Sequence, residues 1–297
     1  MNINKLPLLR AVFRYFGNTS TASRLRWGGV LAWLARKLLR SRVNIVRVNL
    51  QLCFPEHTAQ QREAWLRQHF RLLGQSIVDR GLCWFGKPEA ITQTISLHGF
   101  EHIQALLDAK RPIILLAPHF IGLDAAATRV SMELKELASI YTRQSDADVD
   151  RMVLEGRKRF NTIHLVGRHE GVRGMIRHLR NGIPVYYLPD MDFGRGDGIV
   201  FSPFFNVPAA TLLATAQIAR SRKAAVVPIV TNLNIKSGHY NVQVMPPLED
   251  FPGESSLEAS TDRLNKLIED WVRADPPQYY WVHRRFKTRP VGEKKFY

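Results

Sequence analysis

Short, uninterrupted apolar runs constrain the fold of this chain more than any other feature of its sequence. Three of them occupy residues 112–117, 184–188 and 224–230, and each is flanked by a proline or a charged residue. Runs of this length without polar alternation are typical of strands that are buried on both faces, as in parallel sheets. Stretches of helical character lie between them, so the sequence predicts an α/β fold with a largely parallel central sheet flanked by helices.

The remaining pattern supplies the other elements of this fold. A capping box formed by Thr58 and Gln61 opens a helix that runs to about Arg80. Pro208 marks the start of another helix, which is expected at residues 209–220. Further helices are expected at 125–137, 171–180 and 257–272, and further strands at 138–142, 163–166 and 240–244.

Positive charge is concentrated at the two ends of the chain, which has 297 residues and a formal net charge of +16. Residues 1–55 contain ten basic and no acidic residues, and residues 281–297 contain six basic and one acidic residue. We therefore expect the ends to meet an anionic partner, namely membrane headgroups, nucleic acid or an acidic protein. The two cysteines, Cys53 and Cys83, are too few for a disulfide framework.

A helix is also expected within the basic N-terminal segment. One narrow arc of this helix carries four apolar residues, Trp27, Leu31, Leu34 and Leu38. The pattern favours two interpretations equally: a helix that lies in a membrane interface, or a surface helix that packs its leucine stripe on the core. No apolar run approaches the ~20 residues that a membrane-spanning helix needs.

The most informative motif for chemistry places a histidine and a carboxylate just after a predicted strand. His119 and Asp124 follow Pro118, with Gly122 between them. If Gly122 permits a turn, the carboxylate can hold one imidazole nitrogen and leave the other as a general base. No Gly-x-Ser-x-Gly motif accompanies the pair, so the nucleophile is expected to be a substrate hydroxyl. The alternative is a structural histidine, which is the commoner role for such a residue.

Charged residues downstream of this motif suggest binding functions. Five arginines are suited to bidentate contacts with phosphates, namely Arg143, Arg157, Arg159, Arg168 and Arg173. The alternative is that they form ion pairs with nearby acidic residues. Asp190 and Asp192 follow the predicted strand at 184–188. Without a flanking histidine or cysteine they form a weak metal motif, and we expect no metal site.

Several short motifs occur in a fixed order along the chain. Besides His119 and Asp124, they are NLQLCFPE at 49–56, RGMIR at 173–177, YLPD at 187–190, PFF at 203–205, PAAT at 208–211 and QYYWVHRRFKTRP at 278–290. Together they resemble the lipid A biosynthesis acyltransferases, the lauroyl/myristoyl transferase family of Gram-negative bacteria. The resemblance runs from about residue 43 to residue 297, and the C-terminal string is its most specific part.

That resemblance implies a glycerolipid acyltransferase-like fold and transfer of a fatty acyl group from acyl carrier protein to a hydroxyl of a phosphorylated glycolipid, a lipid A precursor. It implies His119 as the general base, Asp124 as its orienting carboxylate, and no cofactor. The substrate-binding candidates are Arg143, Arg157, Arg159, Arg173 and Asp190. Residues 1–55 would associate with the cytoplasmic face of the inner membrane, peripherally or through one anchor, and residues 56–297 would form the acyltransferase domain.

The chain departs from the family at several positions. It has Asp124 where close members usually carry glutamate, and Met191 where they usually carry glutamine. These differences leave open another glycolipid or an aminolipid as the acceptor. Two other classes remain as alternatives, a hydrolase in which His119 activates water and a nucleic-acid-binding protein, which is suggested by the charge and by aromatic residues at 281–286.

Overall fold

The computed structural model describes residues 5–167 and 170–297, in which strands and helices alternate. The strands are β1 (Ile95–His98), β2 (Ile113–Leu116), β3 (Glu136–Tyr141), β4 (Thr162–Gly167), β5 (Val185–Tyr187), β6 (Ile199–Phe204), β7 (Val207–Leu212), β8 (Ala225–Asn234) and β9 (His239–Val244). The helices are α1 (Leu6–Asn18), α2 (Thr21–Leu38), α3 (Arg40–Cys53), α4 (Ala59–Phe85), α5 (Pro88–Thr94), α6 (Glu101–Asp108), α7 (Leu123–Glu133), α8 (Ala147–Arg157), α9 (Gly171–Arg180), α10 (Ala214–Arg222) and α11 (Leu257–Ala274). A short 3₁₀ turn, Pro276–Gln278, follows α11.

Seven of the described strands form a central sheet in the order β1-β9-β8-β2-β5-β3-β4. Every pairing in this part of the structure is parallel except that of β8 with β9. β2 lies in the middle of the sheet, and each of its residues is at most 1% exposed. Burial on both faces requires an unbroken apolar sequence, which is why the run at 112–117 was informative. The predicted α/β fold with a largely parallel central sheet and flanking helices is confirmed.

Local signals in the sequence placed several helix ends correctly. The Thr58 hydroxyl accepts a hydrogen bond from the Gln61 amide at 3.1 Å and caps α4, as the capping box predicts. α9 covers the expected residues, Gly171–Arg180. α4 runs on to Phe85, beyond the predicted end near Arg80, and its last turns form one wall of the site described below.

The helix predicted at residues 209–220 is wrong over its first half. Residues 207–212 form β7, which pairs antiparallel with β6, and α10 begins only at Ala214. Phe205 and Asn206 connect the two strands with φ angles of 53° and 59°. Consecutive positive φ angles are typical of tight hairpin turns, so pairing with β6 overrides the helical propensity of the alanine-rich segment.

The N-terminal helices α1, α2 and α3 pack against α4. α2 approaches α4 closely where two glycines face each other, since a Cβ atom on Gly74 would lie 2.3 Å from the carbonyl oxygen of Gly28. A buried ion pair joins the same helices, with Arg24 Nε 2.8 Å from Asp79 Oδ1. A buried charge is tolerated when it is paired and hydrogen-bonded, so this contact fixes the register of α2 on α4.

The apolar arc of α2 faces outward. Leu38 is 74% exposed and Trp27 is 44% exposed, whereas Arg24, Gly28 and Ala32 form the buried side. The interpretation that packed the leucine stripe on the core is therefore wrong. Among the helices of residues 5–167 and 170–297, none combines the length and apolarity that crossing a membrane requires.

Candidate active site

His119 and Asp190 occupy equivalent positions beyond two neighbouring strands. β2 and β5 pair in parallel, with Leu116 opposite Tyr187. Each strand is followed by one apolar residue, a proline, and then His119 or Asp190. Because parallel strands in register advance together, the two side chains meet at the carboxyl edge of the sheet, where ligands of open α/β folds bind.

Asp190 holds the imidazole of His119 and the backbone beneath it. Its Oδ1 accepts a hydrogen bond from His119 Nδ1 at 2.7 Å, and its Oδ2 accepts one from the His119 backbone N–H at 2.9 Å. A carboxylate only accepts, so the proton lies on Nδ1 and Nε2 is left as a proton acceptor. Burial would raise the pKa of Asp190, but the charge of His119 and hydrogen bonds from His119 and Tyr279 outweigh burial and lower it to about 2.

Asp124 has different partners from the one that the sequence suggested. It lies in the first turn of α7, where its Oδ2 accepts from Arg80 Nε at 2.8 Å and its Oδ1 from Arg157 Nη2 at 2.9 Å. Burial would raise the pKa of Asp124, but these two guanidinium groups lower it well below its usual range. The orienting position beside His119 therefore belongs to Asp190, which corrects the pairing expected from the His-x4-Asp spacing.

The C-terminal segment also holds the His119 loop, through backbone hydrogen bonds. The Tyr280 amide donates to the His119 carbonyl at 2.8 Å, and the Ile121 amide donates to the Gln278 carbonyl at 2.7 Å. These two bonds fix the backbone at the His119 carbonyl and at Ile121, just after the histidine. The string at 278–290, the most specific motif of the sequence, thus begins with residues that position His119.

Buried side chains anchor this C-terminal segment to other parts of the chain. Trp281 is fully buried, and the Asn49 side-chain amide donates to the carbonyl groups of Trp281 and His283, both at 2.8 Å. Arg285 is buried as well and donates from Nη1 to the Ala210 carbonyl in β7 at 2.8 Å. Three of the sequence motifs therefore meet here, and their buried polar groups position the segment that holds the His119 loop.

Two cavities share His119. The apolar cavity has a volume of about 370 Å³, and its lining includes Val172, Met175, Leu188 and Phe193. The polar cavity has a volume of about 460 Å³, and Arg80, Asp124 and Arg157 lie in its wall with Trp84 and Tyr186. Residues common to both cavities are His119, Ile140, Thr142, Leu188 and Met191. The imidazole therefore stands where an apolar and a polar ligand can meet.

Arg159 lies at the end of α4 and is not a wall residue of either cavity. Its guanidinium donates to the Cys83 carbonyl at 3.2 Å and to the Gly86 carbonyl. Carbonyl groups in the last turn of a helix lack intrahelical partners, and a cation there satisfies them. The structure thus gives Arg159 a capping contact in place of the predicted substrate contact.

The other predicted arginines divide between the site, its margin and the surface. Arg157 lies in the polar cavity, as described above. Arg143 is exposed, with its Nε 3.6 Å from Asp150 Oδ2, and its neighbour Thr142 lines both cavities. Arg173 is exposed in the first turn of α9, next to Val172 of the apolar cavity. Arg168 lies outside the described residues.

Sequence reasoning missed Arg80 and underrated Asp190. Arg80 sits inside a long helix among several other arginines, and no local pattern distinguishes it. For Asp190 a signal was present, because Ala117-Pro118-His119 and Leu188-Pro189-Asp190 both place a polar residue after a strand and a proline. In the part of the chain that the structure describes, no group of three or more histidine, cysteine, aspartate or glutamate side chains is arranged to hold a metal ion.

The fold and site are those of an α/β enzyme whose ligands bind at the carboxyl edge of a parallel sheet. A sequence model of the family described as bacterial lipid A biosynthesis acyltransferase matches residues 8–288. The lipid A biosynthesis lauroyltransferase of Escherichia coli K12 is 34% identical over 268 residues, which are 90% of this chain and 86% of that protein. The lipid A biosynthesis palmitoleoyltransferase of the same strain is 32% identical over 265 residues, 89% of this chain and 85% of that protein.

The lipid A biosynthesis myristoyltransferase of that strain is 30% identical over 267 residues, covering 89% of this chain and 82% of that protein. The chain belongs to the bacterial lipid A biosynthesis acyltransferase family. It is accordingly an acyltransferase, and the family resemblance drawn from the sequence motifs is confirmed.

Proposed function

We propose that this protein transfers a fatty acyl chain from an acyl carrier protein thioester to a hydroxyl group of a lipid A precursor. The observation that carries the proposal is the position of His119, which Asp190 holds at the junction of an apolar and a polar cavity. Transfer to a phosphorylated glycolipid brings an acyl chain and a sugar phosphate together at one base. The lauroyl-, palmitoleoyl- and myristoyltransferase relatives favour the same reaction class.

His119 acts as the general base in a direct transfer. Its Nε2 takes the proton of the acceptor hydroxyl while the oxygen attacks the thioester carbonyl carbon. The tetrahedral intermediate collapses by breaking the carbon–sulfur bond, and the proton on the imidazolium passes to the leaving thiolate. Asp190 keeps the imidazole in the required tautomer and stabilises the imidazolium that forms. A general base positioned in this way contributes about 10²- to 10⁴-fold to the rate.

Arg80 and Arg157 bind the phosphorylated part of the acceptor. Both line the polar cavity, and the Asp124 carboxylate neutralises only one of their two positive charges. Guanidinium groups form paired hydrogen bonds with phosphate oxygens, and a low-dielectric wall strengthens that attraction. Asp124 has a positioning role in this scheme, since it holds both guanidinium groups at the cavity wall.

The apolar cavity takes the acyl chain. Its lining by Val172, Met175, Leu188 and Phe193 offers hydrocarbon contacts beside the catalytic histidine. Each methylene group that leaves water for such a cavity contributes about 0.8 kcal/mol to binding. An acyl chain anchored there presents its thioester carbonyl to the acceptor oxygen at His119.

The reaction takes place at the cytoplasmic face of the inner membrane, where an acyl carrier protein and a lipid acceptor can both reach the enzyme. Support comes from the basic residues of the two chain ends and from the exposed apolar residues of α2. Both features are typical of proteins that lie on an anionic lipid surface.

The test is an assay of the purified protein with acyl carrier protein thioester, with and without a Kdo-bearing lipid A precursor. We expect acceptor-dependent formation of an ester, identified by mass spectrometry of the lipid product. His119→Ala should lower turnover by about 10²- to 10⁴-fold while its circular dichroism stays that of the parent protein.

Other outcomes would assign a different function. Loss of thioester without acceptor indicates a hydrolase, and acylation of only another glycolipid or an aminolipid changes the acceptor. Near-normal turnover of His119→Ala contradicts the proposed role of the histidine.

A further inference from the structure

A third cavity, separate from the two beside His119, lies between α2 and α4 and is lined by four arginines. Arg26 and Arg36 reach it from α2, and Arg67 and Arg71 reach it from α4. Trp33 and Leu25 supply apolar contacts at the same place, and the cavity has a volume of about 600 Å³. We call it the α2–α4 cavity.

The four arginines of the α2–α4 cavity lack acidic partners among the described residues. Two other arginines of the N-terminal helices do have acidic partners, since Arg10 pairs with Glu155 at 2.6 Å and Arg24 with Asp79 at 2.8 Å. Around the cavity no carboxylate of residues 5–167 or 170–297 comes within 4.0 Å of a guanidinium group. Like charges gathered round one concave space repel each other, and a bound anion would remove that repulsion.

Exposed apolar residues accompany this charge on the outer side of α2. Arg26, Val30, Trp33 and Lys37 follow one another at spacings of three and four residues and therefore share one helix face. Trp33 is 58% exposed, Val30 on the same face is exposed as well, and so is Trp27 next to this face. Tryptophan beside arginine and lysine is the composition that a helix shows when it lies in a membrane interface.

The α2–α4 cavity is distinct from the catalytic cavities. Arg71 and Arg80 are nine residues apart on α4, and nine steps of about 100° leave them on opposite sides of the helix. Arg80 lies in the polar cavity beside His119, while Arg71 faces the groove next to α2. A ligand of the α2–α4 cavity therefore does not occupy the site of the reaction.

We propose that the α2–α4 cavity binds the phosphate group of an anionic membrane lipid, with Trp33 and Val30 inserted among the neighbouring lipids. The proposal deepens the membrane attachment put forward above by naming the residues and the lipid chemistry. Arg67 and Arg71 neutralise the phosphate from α4, and Arg26 and Arg36 do so from α2. Binding there holds α2 in the plane of the interface.

An acidic protein is the competing occupant, and the apolar residues favour the lipid. A carboxylate-rich protein surface matches the arginines but leaves Trp33, Val30 and Trp27 in water. A lipid surface satisfies both groups, because its phosphates meet the cations and its glycerol and acyl region takes the exposed rings.

Vesicle binding by the full chain tests the proposal without acyl donor or acceptor, so the result does not depend on the proposed reaction. Co-sedimentation is measured with vesicles of phosphatidylcholine containing phosphatidylglycerol, and with phosphatidylcholine alone. The variant Arg67→Gln/Arg71→Gln should bind the anionic vesicles roughly 30-fold more weakly than the parent protein. Both positions are exposed, so its thermal melting should be unchanged.

The matched control is Arg111→Gln/Arg180→Gln, which loses the same charge at exposed positions before β2 and β5. It should bind the anionic vesicles within about twofold of the parent protein. Equal losses in both double variants, or undiminished binding by Arg67→Gln/Arg71→Gln, overturn the proposal. Retained vesicle binding with weakened binding of acyl carrier protein overturns it as well and assigns the cavity to that protein.

Discussion

His119 and Asp190 show how burial and charge act together on one side chain. Asp190 is almost completely buried, and an isolated carboxylate there would be protonated at neutral pH. The charge of His119, together with hydrogen bonds from its imidazole and backbone and from Tyr279, reverses that tendency and brings the pKa of Asp190 to about 2. The carboxylate therefore remains charged through the range in which a histidine exchanges protons, as an orienting group must.

Asp190→Asn and Asp124→Asn should have different kinetic effects. In Asp190→Asn the amide cannot stabilise an imidazolium, so we expect kcat to fall by about 10³- to 10⁴-fold. In Asp124→Asn the base keeps its partner, but Arg80 and Arg157 lose the anion between them. We expect the larger change there in the KM of the phosphorylated acceptor, by about tenfold. Steady-state acyl transfer with varied acceptor concentration separates the two.

His119→Ala is the reference for this comparison, because removal of the base should make the identity of residue 190 nearly irrelevant. The double variant with Asp190→Asn should be about as slow as His119→Ala alone. A kcat in Asp124→Asn as low as that in Asp190→Asn would return the orienting role to Asp124.

For individual residues, the sequence predicted His119 as a candidate site residue but did not predict Asp190 as its hydrogen-bond partner. The apolar run at residues 112–117 predicts the strand that precedes His119, so the local sequence pattern was enough to single out this histidine. The partnership with Asp190 depends on β2 and β5 being neighbours, and strand order is a property of the whole sheet. Asp124 was nearer in sequence, and proximity in sequence favoured the wrong carboxylate.

Among the elements, α4 connects the N-terminal helices to the candidate active site. One side of α4 packs on α2 at Gly74, and a different side of the helix carries Arg80 into the polar cavity. A shift of this helix would move Arg80 relative to Asp124. A contact that holds the end of α4 in place therefore also keeps Arg80 in position beside Asp124.

Arg159→Ala should weaken that support without removing a substrate contact. Arg159 donates to carbonyl groups at the end of α4, so we expect the free energy of unfolding to fall by about 1–2 kcal/mol. The acceptor KM should stay close to that of the parent protein. Arg157→Ala, two residues away, should instead raise that KM at least tenfold. Urea unfolding and acyl-transfer kinetics on both variants check this, and a raised KM in Arg159→Ala would restore its predicted binding role.

The hairpin of β6 and β7 shows why it was harder to predict whether a segment forms a helix or a strand than to predict that it forms regular secondary structure. Residues 207–212 are rich in alanine, which favours a helix, and Pro208 suits a helix start. The strand forms because β6 is available as a partner and because Arg285 bonds to the Ala210 carbonyl from far along the chain. Neither partner can be read from the segment itself.

Across the whole molecule, the buried His69 and the half-buried His283 tie the C-terminal segment to the body. His69 of α4 bonds through Nδ1 to the Pro277 carbonyl at 3.0 Å, and His283 Nε2 accepts from the Asp192 amide at 3.0 Å. Burial lowers the pKa of both histidines to about 4, and for His283 the charges of His119 and Arg285 add to that effect. Both are therefore neutral in the folded protein at pH values where exposed histidines carry a proton.

This makes the stability of the fold depend on pH in a defined window. Between pH 6.5 and 4 the unfolded chain binds protons at His69 and His283 that the folded protein does not, so the free energy of unfolding falls as the pH falls. A shift from 6.5 to about 4 corresponds to about 3 kcal/mol for each group at the low end. Protonation of Asp190 lowers the free energy of unfolding further only below about pH 4, because the pKa of Asp190 in the folded protein lies below the value of 3.8 expected for an ordinary aspartate.

His69→Asn should flatten the pH dependence of stability while keeping a donor for the Pro277 carbonyl. Urea unfolding at pH 7, 5.5 and 4.5 gives the free energy of unfolding at each pH, and its slope is the readout. The smaller side chain leaves a cavity and lowers stability at every pH, but that loss does not change the slope. His98→Asn, at an exposed position of β1, should keep the slope of the parent protein. An unchanged slope in His69→Asn would mean that His69 takes its proton in the folded state, and the C-terminal segment that positions His119 would then be held by a charged group.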